Sequence, residues 1–282
     1  MLRQMNNILL RNIRYDYVCG FKYNLKKYII AVIYVILGCV LFLALSDNCP
    51  TVDDSFKRTF MDFLIYFFAG DKAADFSEGT IGIPAVLLGM QILIASAVGY
   101  YAVDDIYGYG KQVFIRVQKK TTWWLSKCVW AASTVLLVYI IVYGMILLFC
   151  VVTGQDISMS YHPEIVEYMN QQYIGFVSGT DMLLHIFVTP VMYSIMISFA
   201  QITLSMLIGP LVSFLAIMVY DIMGILLAQN VLLINYSMLV RNKMVSGVNI
   251  EPMDGVVYML IISVICIVIG AFVIKRKEIF EK

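Results

Sequence analysis

Six apolar runs, each about as long as a bilayer is thick, set the first limit on what this chain can fold into. A helix needs about twenty apolar residues to cross a hydrocarbon core of about 30 Å. Residues 28–46, 81–103, 128–152, 183–209, 211–229 and 256–274 meet that length, and the runs 28–46, 128–152 and 256–274 carry no charged side chain. Across the 282 residues, 61% are hydrophobic and 14% charged. A soluble domain is nearer half apolar and a quarter charged, so the excess apolar surface calls for lipid. No polar stretch is long enough for a separate soluble domain. The sequence therefore predicts an all-α, single-domain membrane protein over 1–282 with six transmembrane helices.

The placement of lysine and arginine gives the orientation. Arg3, Arg11, Arg14, Lys22, Lys26 and Lys27 precede the first run. Lys111, Arg116, Lys119, Lys120 and Lys127 lie between the second and third, and Lys275, Arg276, Lys277 and Lys282 follow the sixth. Fifteen of the twenty basic residues thus share one side. Basic residues are retained in the cytoplasm, which puts both termini there and predicts a multi-pass protein of the cell membrane, bacterial in character. The opposite side is acidic, with seven carboxylates in 47–78. The polar lead before the first run lacks the form of a cleaved signal peptide, and the run reads as a retained span.

Three segments outside the runs carry their own expectations. Residues 2–27 alternate apolar positions with Arg3, Arg11 and Arg14 at near-helical spacing, the pattern of an amphipathic helix lying in the inner interface. The aromatic run 59–69 is too short to span and reads as an interfacial or re-entrant piece on the outer face. Residues 229–254 begin apolar and are expected to dip back toward the bilayer. Pro190 is expected to kink the fourth span, and Gly209-Pro210 to join the fourth and fifth as a tight hairpin. The six cysteines read as small packing residues. Cys49 and Cys150 fall near the same face, where nothing else in the sequence supports a pairing.

Chemistry for catalysis is sparse. The two histidines, His162 and His185, belong to no His-Glu-x-x-His pair, and no carboxylate cluster has metal-ligand spacing. The nearest approach to a phosphate-binding loop, Gly108-Tyr109-Gly110-Lys111, has Asp105 in place of the leading glycine and Gln112 in place of the hydroxyl. The expectation is a protein that is no enzyme, holds no cofactor or metal and binds no nucleic acid. One acid, Asp221, sits ten residues into the fifth run, where a charge costs about 2.5–3.5 kcal/mol. It reads as a structural acid, a lining group of a translocation path, or a dimer contact.

Segment 104–127 holds the densest pattern. Asp104 and Asp105 are followed by Gly108 and Gly110, then Arg116, Lys119 and Lys120, then Trp123, Trp124 and Lys127. A basic inner loop with an aromatic interface anchor accounts for part of it. In its place between the second and third of six spans, the run from Gly108 to Lys127 resembles the cytoplasmic loop of the ABC-2 type permeases, the membrane subunits of a class of ATP-driven transporters. The basic lead, six spans and short charged tail 275–280 extend the likeness over most of the chain. The resemblance implies a coupling helix in 104–127, two cytoplasmic ATPase subunits and a second permease copy or paralogue as partners. It also implies an interfacial helix at 2–27 that touches the ATPase, a path lined by the second and fifth spans, and a re-entrant outer element before the sixth. The long outer segments 47–80 and 153–181 depart from the short loops common in that family. A substrate that is hydrophobic or cationic, such as an antimicrobial peptide, follows from this reading. A peptide-binding immunity or sensor protein would share the topology and need no ATPase.

Overall fold

The computed structural model describes residues 2–50, 56–74, 82–108, 120–170 and 173–276, without the side chains of 2–7, 107 and 170. The described residues are helical and form no sheet; one isolated parallel bridge joins Thr59 to Asp156. The helices are α1 (Leu2–Ser46), α2 (Phe60–Phe68), α3 (Ala85–Gly99), α4 (Tyr101–Tyr107), α5 (Lys120–Thr153), α6 (Pro163–Asn170), α7 (Gly179–Leu183), α8 (Thr189–Ile208), α9 (Pro210–Leu226), α10 (Lys243–Ser246) and α11 (Pro252–Arg276). A π-helical turn, Leu184–Val188, joins α7 to α8, and two 3-10 turns, Leu233–Ser237 and Leu239–Arg241, precede α10.

Among the described residues, five helical stretches are long and apolar enough to cross a membrane: Ile8–Ser46, Ala85–Ile106, Lys120–Thr153, Gly179–Ile208 and Pro252–Arg276. Their outward faces are apolar. Leu260, Val264, Val268 and Phe272 of α11 and Ile29, Ile33, Leu37 and Val40 of α1 are each at least half or nearly half exposed. Contiguous apolar surface of that extent is untenable in water and suits lipid.

Several expectations meet a different structure. The lead 2–27 and the first span form one uninterrupted helix, so nothing separates an interfacial segment from the span. No glycine or proline falls between Phe21 and Leu37, and α5 packs along α1 and supports it. The second span ends in two pieces, α3 and α4, hinged at Tyr100. There the Lys27 ammonium donates to the Ser96 carbonyl at 2.7 Å, in the last turn of α3. Pro84 precedes α3 as its cap. The third span starts earlier than expected, at Lys120.

Pro190 acts through a hydrogen bond it cannot make. Lacking an N–H, it leaves the Ile186 carbonyl without its helical partner. The Tyr143 hydroxyl of α5 donates to that carbonyl at 2.8 Å, and the π turn sits immediately before. Gly209, at φ +89°, turns α8 into α9 with Pro210 opening the next helix, so the hairpin is as tight as expected. α9 has 17 residues and stops at Leu226, shorter than the expected 211–229.

The aromatic run, expected to be interfacial or re-entrant, is buried among other segments of the protein. In α2, Phe63, Leu64, Phe67 and Phe68 are excluded from solvent, with Phe63 against Phe42 of α1 at 4.6 Å between ring centroids. A capping box starts it: the Asp62 backbone N–H donates to the Thr59 hydroxyl, and Thr59 N–H donates to the Asp62 carboxylate at 2.8 Å. The Asp62 carboxylate also meets His162 Nδ1 at 2.7 Å and accepts the His162 backbone N–H at 2.8 Å. The Thr59 hydroxyl donates to the Ser160 carbonyl at 2.7 Å. The two long loops flanking α2 and α6 are thereby folded onto each other at one end of the bundle. Cys49 and Cys150 are both buried there, and no disulfide joins them.

Segment 229–254 is folded inward. Its residues from Leu232 to Asn242 are all buried, and Arg241 anchors them. The Arg241 guanidinium donates to the carbonyls of Gly224 (2.7 Å), Ile225, Asp71 (3.0 Å) and Lys72 (3.3 Å) and to the Asn235 side-chain oxygen. Two of those carbonyls are orphans of the α9 C-terminus, where a cation is also favoured by the helix dipole. Burial pulls the guanidinium down to about 10, far above neutrality, so it remains cationic. The Asn235 amide satisfies the carbonyls of Leu227 and Gln229, each at 2.9 Å. Together these two side chains stop α9 at Leu226.

Candidate functional site

At the opposite end of the bundle, three helices converge on one buried cation. Lys127 of α5 is fully buried, with its ammonium paired to Asp16 of α1 and, at 2.7 Å, to Asp105 of α4. The ammonium also lies over the Tyr101 ring (4.4 Å) and the Trp123 ring (5.1 Å). Tyr101 donates its hydroxyl to Asp16 at 3.0 Å, Ser126 donates to the other Asp16 oxygen, and Trp123 Nε1 donates to Asp105 at 2.8 Å. Both Asp16 oxygens and Oδ2 of Asp105 gain partners from neighbouring helices, as carboxylates so far from water must. Asp104, exposed on the next position of α4, accepts the Tyr23 hydroxyl of α1 at 2.7 Å.

Such a cluster forms because α4 ends at Tyr107 and α5 begins at Lys120, while α1 runs on one side of the first span alongside both. Removing the Lys127 ammonium would strand both carboxylates out of water, so this one cation ties the three helices together. α4 and α5 are therefore fixed to α1 and to each other.

Of the sequence-predicted loop residues, Asp104, Asp105 and Gly108 lie on or just after α4, where the Gly108 N–H closes its last turn on Asp104 and Asp105. Lys120 opens α5 and reaches the Lys275 carbonyl of α11 at 3.5 Å. Gly110, Arg116 and Lys119 fall outside the described residues.

The expected interface anchors are internal. Trp123 and Trp124 are buried, and the Trp124 indole donates to the Ile267 carbonyl of α11 at 2.9 Å. Its ring lies where a side chain on Gly270 would have to be, 2.0 Å from that position. With their N–H groups satisfied inside the protein, these indoles have no reason to seek the headgroup layer. Lys127 likewise faces two aspartates and no water. Asp16 is the residue the sequence reading missed. Its only signal was an acid within a basic lead.

Asp221 occupies a second buried site, midway along α9. It is fully buried and accepts the Tyr193 hydroxyl of α8 on one oxygen, while its other oxygen has no partner among the described residues. Beside Tyr193, Ser194 donates to Gln91 of α3 at 3.1 Å and contacts the Tyr139 hydroxyl of α5 at 2.9 Å. Tyr139 donates to the Pro190 carbonyl at 2.9 Å. Asp221 thus belongs to a polar seam among α3, α5, α8 and α9, and presents no atom to a second copy of the chain in this conformation.

No group of three or more metal-ligating side chains occurs among the described residues. Fold and sites together define an all-helical membrane protein with buried polar centres at two depths of its bundle. A family model described as a protein of unknown function (DUF2705) matches residues 55–280, and the chain belongs to that family. No curated protein and no solved structure matches it.

Proposed function

We propose that the chain is the membrane-embedded permease of an ATP-driven exporter, related to the ABC-2 permeases, and works with cytoplasmic ATPase subunits as a dimer with a second copy or a paralogue. The observation that supports this is the Asp16–Lys127–Asp105 cluster. A segment that receives force from a partner needs rigid neighbours, and α4 and α5, which come before and after 109–119 in the chain, are tied to α1 by ions that cannot separate cheaply.

In this reading α9 is the sixth crossing. Its 17 residues lie at the short end of what spans a bilayer. The Lys127 end and both termini face the cytoplasm of a bacterial cell, and the α2 end faces out. The seam around Asp221 lies between α3 and α9, the elements expected to border the path. The cargo is a hydrophobic or cationic compound such as an antimicrobial peptide.

The test is purification of the tagged full chain from its native membrane. An ATP-hydrolysing subunit in constant ratio is expected, and substituting acids for Arg116, Lys119 and Lys120 should uncouple its ATPase activity from the permease. Purification of the chain without any ATPase overturns the reading.

A further inference from the structure

Between the start of α11 and the folded-in turns lies a half-open cavity of about 400 Å³. Val231, Leu233, Ile261 and Ile262 form its apolar wall, and Tyr236 and Tyr258 meet edge to face across 6.1 Å. Asn230, Asn249 and Asp254 supply its polar rim. Among the described residues no basic one lines it. Asp254, exposed in the first turn of α11, has no ion-pair partner among the described residues. The nearby Lys243 is engaged by Glu251 at 2.8 Å.

One end of this cavity therefore offers a carboxylate beside two aromatic rings, and the other opens along Ile261 onto the exposed apolar face of α11. An ammonium is favoured by both features of the first end, through charge and through the faces of the rings. A hydrocarbon chain is favoured by the second. We infer that this cavity binds an amphiphile with an ammonium head and an apolar tail, head at Asp254 and tail along Ile261 and Ile262. Val231, 81% exposed on the turn after α9, fits the same picture as an edge for the tail to cover. None of the lining residues belongs to the Lys127 cluster, and the occupancy of the cavity does not depend on coupling to an ATPase.

The test uses the full chain in a non-ionic detergent, with decyltrimethylammonium as probe and decanol as its uncharged counterpart, read by calorimetry. The ammonium should bind at least about tenfold more tightly than decanol. Asp254→Asn and Tyr258→Ala should each erase most of that preference, whereas Tyr258→Phe, which keeps the ring, should retain it. Equal binding of both probes, or an Asp254→Asn variant that folds and still prefers the ammonium, overturns the inference. Nanodiscs then distinguish the source of the head group. Competition by phosphatidylethanolamine but not phosphatidylglycerol identifies a resident bilayer lipid, and undiminished probe binding in both identifies a soluble amphiphile.

Discussion

Lys127 and Asp16, 111 residues apart in sequence, form an ion pair from which water is excluded on both sides. Because Asp105 shares the same ammonium, the cluster carries two carboxylates for one cation. Lys127→Ala strands both and should cost about 3–5 kcal/mol. Lys127→Met combined with Asp16→Asn and Asp105→Asn should recover most of the loss, because apolar and neutral replacements remove the uncompensated charge. Thermal unfolding in detergent measures both, and a Lys127→Ala chain as stable as the parent would refute the buried cluster.

The Tyr143 hydroxyl stands in for the N–H that Pro190 lacks. Tyr143→Phe should therefore cost about 1–3 kcal/mol by leaving the Ile186 carbonyl unpartnered in an apolar setting. Pro190→Ala supplies an N–H, so the double variant should be more stable than Tyr143→Phe alone. A double-mutant cycle gives the coupling, and simple additivity would show that the two residues act independently.

Arg241 holds the end of α9 and the 233–246 segment together. Arg241→Met leaves the carbonyls of Gly224 and Ile225 without donors, and a loss of about 3 kcal/mol is expected. Arg241→Lys keeps the charge but not the planar fork and should fall between. Limited proteolysis should cut within 233–246 in the Met variant before any other site is opened.

The exposed pair Lys243–Glu251 predicts little. The hydrogen bond and charge of Glu251 raise the Lys243 ammonium above its ordinary value. A raised base stabilises the fold below its unfolded value and ceases to do so as pH climbs through the folded one. Lys243→Ala should thus change the melting point slightly at neutral pH, and not at all above the lysine range or in high salt.

If the chain is a permease, Asp221→Asn should leave assembly intact, since the amide oxygen still accepts from Tyr193. Transport in reconstituted vesicles should fall. Loss of the folded bundle instead would mark Asp221 as purely structural.

Much of the bundle was legible because apolar length is a local property. The runs at 128–152 and 256–274 fall inside α5 and α11, and the Gly209-Pro210 turn is where composition put it. What escaped depends on contacts distant in sequence. Nothing local to Asp16 announces Lys127, and nothing in Trp123-Trp124 separates an interfacial indole from one seated on Gly270. The anchoring by Arg241 escaped because its partners are mostly main-chain carbonyls, which every residue has. The aromatic run 59–69 looked interfacial for a similar reason: its burial is supplied by Phe42 and the 156–162 segment, not by its own pattern.

The unbroken α1 has a mechanical consequence. From Asp16 to Phe42 is 26 residues, or about 39 Å of stiff rod at about 1.5 Å per residue. A tilt of about 5° pivoting at Asp16 would carry Phe42, and the Phe63 ring resting on it, sideways by about 3 Å. A lever of this kind needs no flexible joint. Displacement at one end of the molecule arrives at the other as a change in the seating of α2.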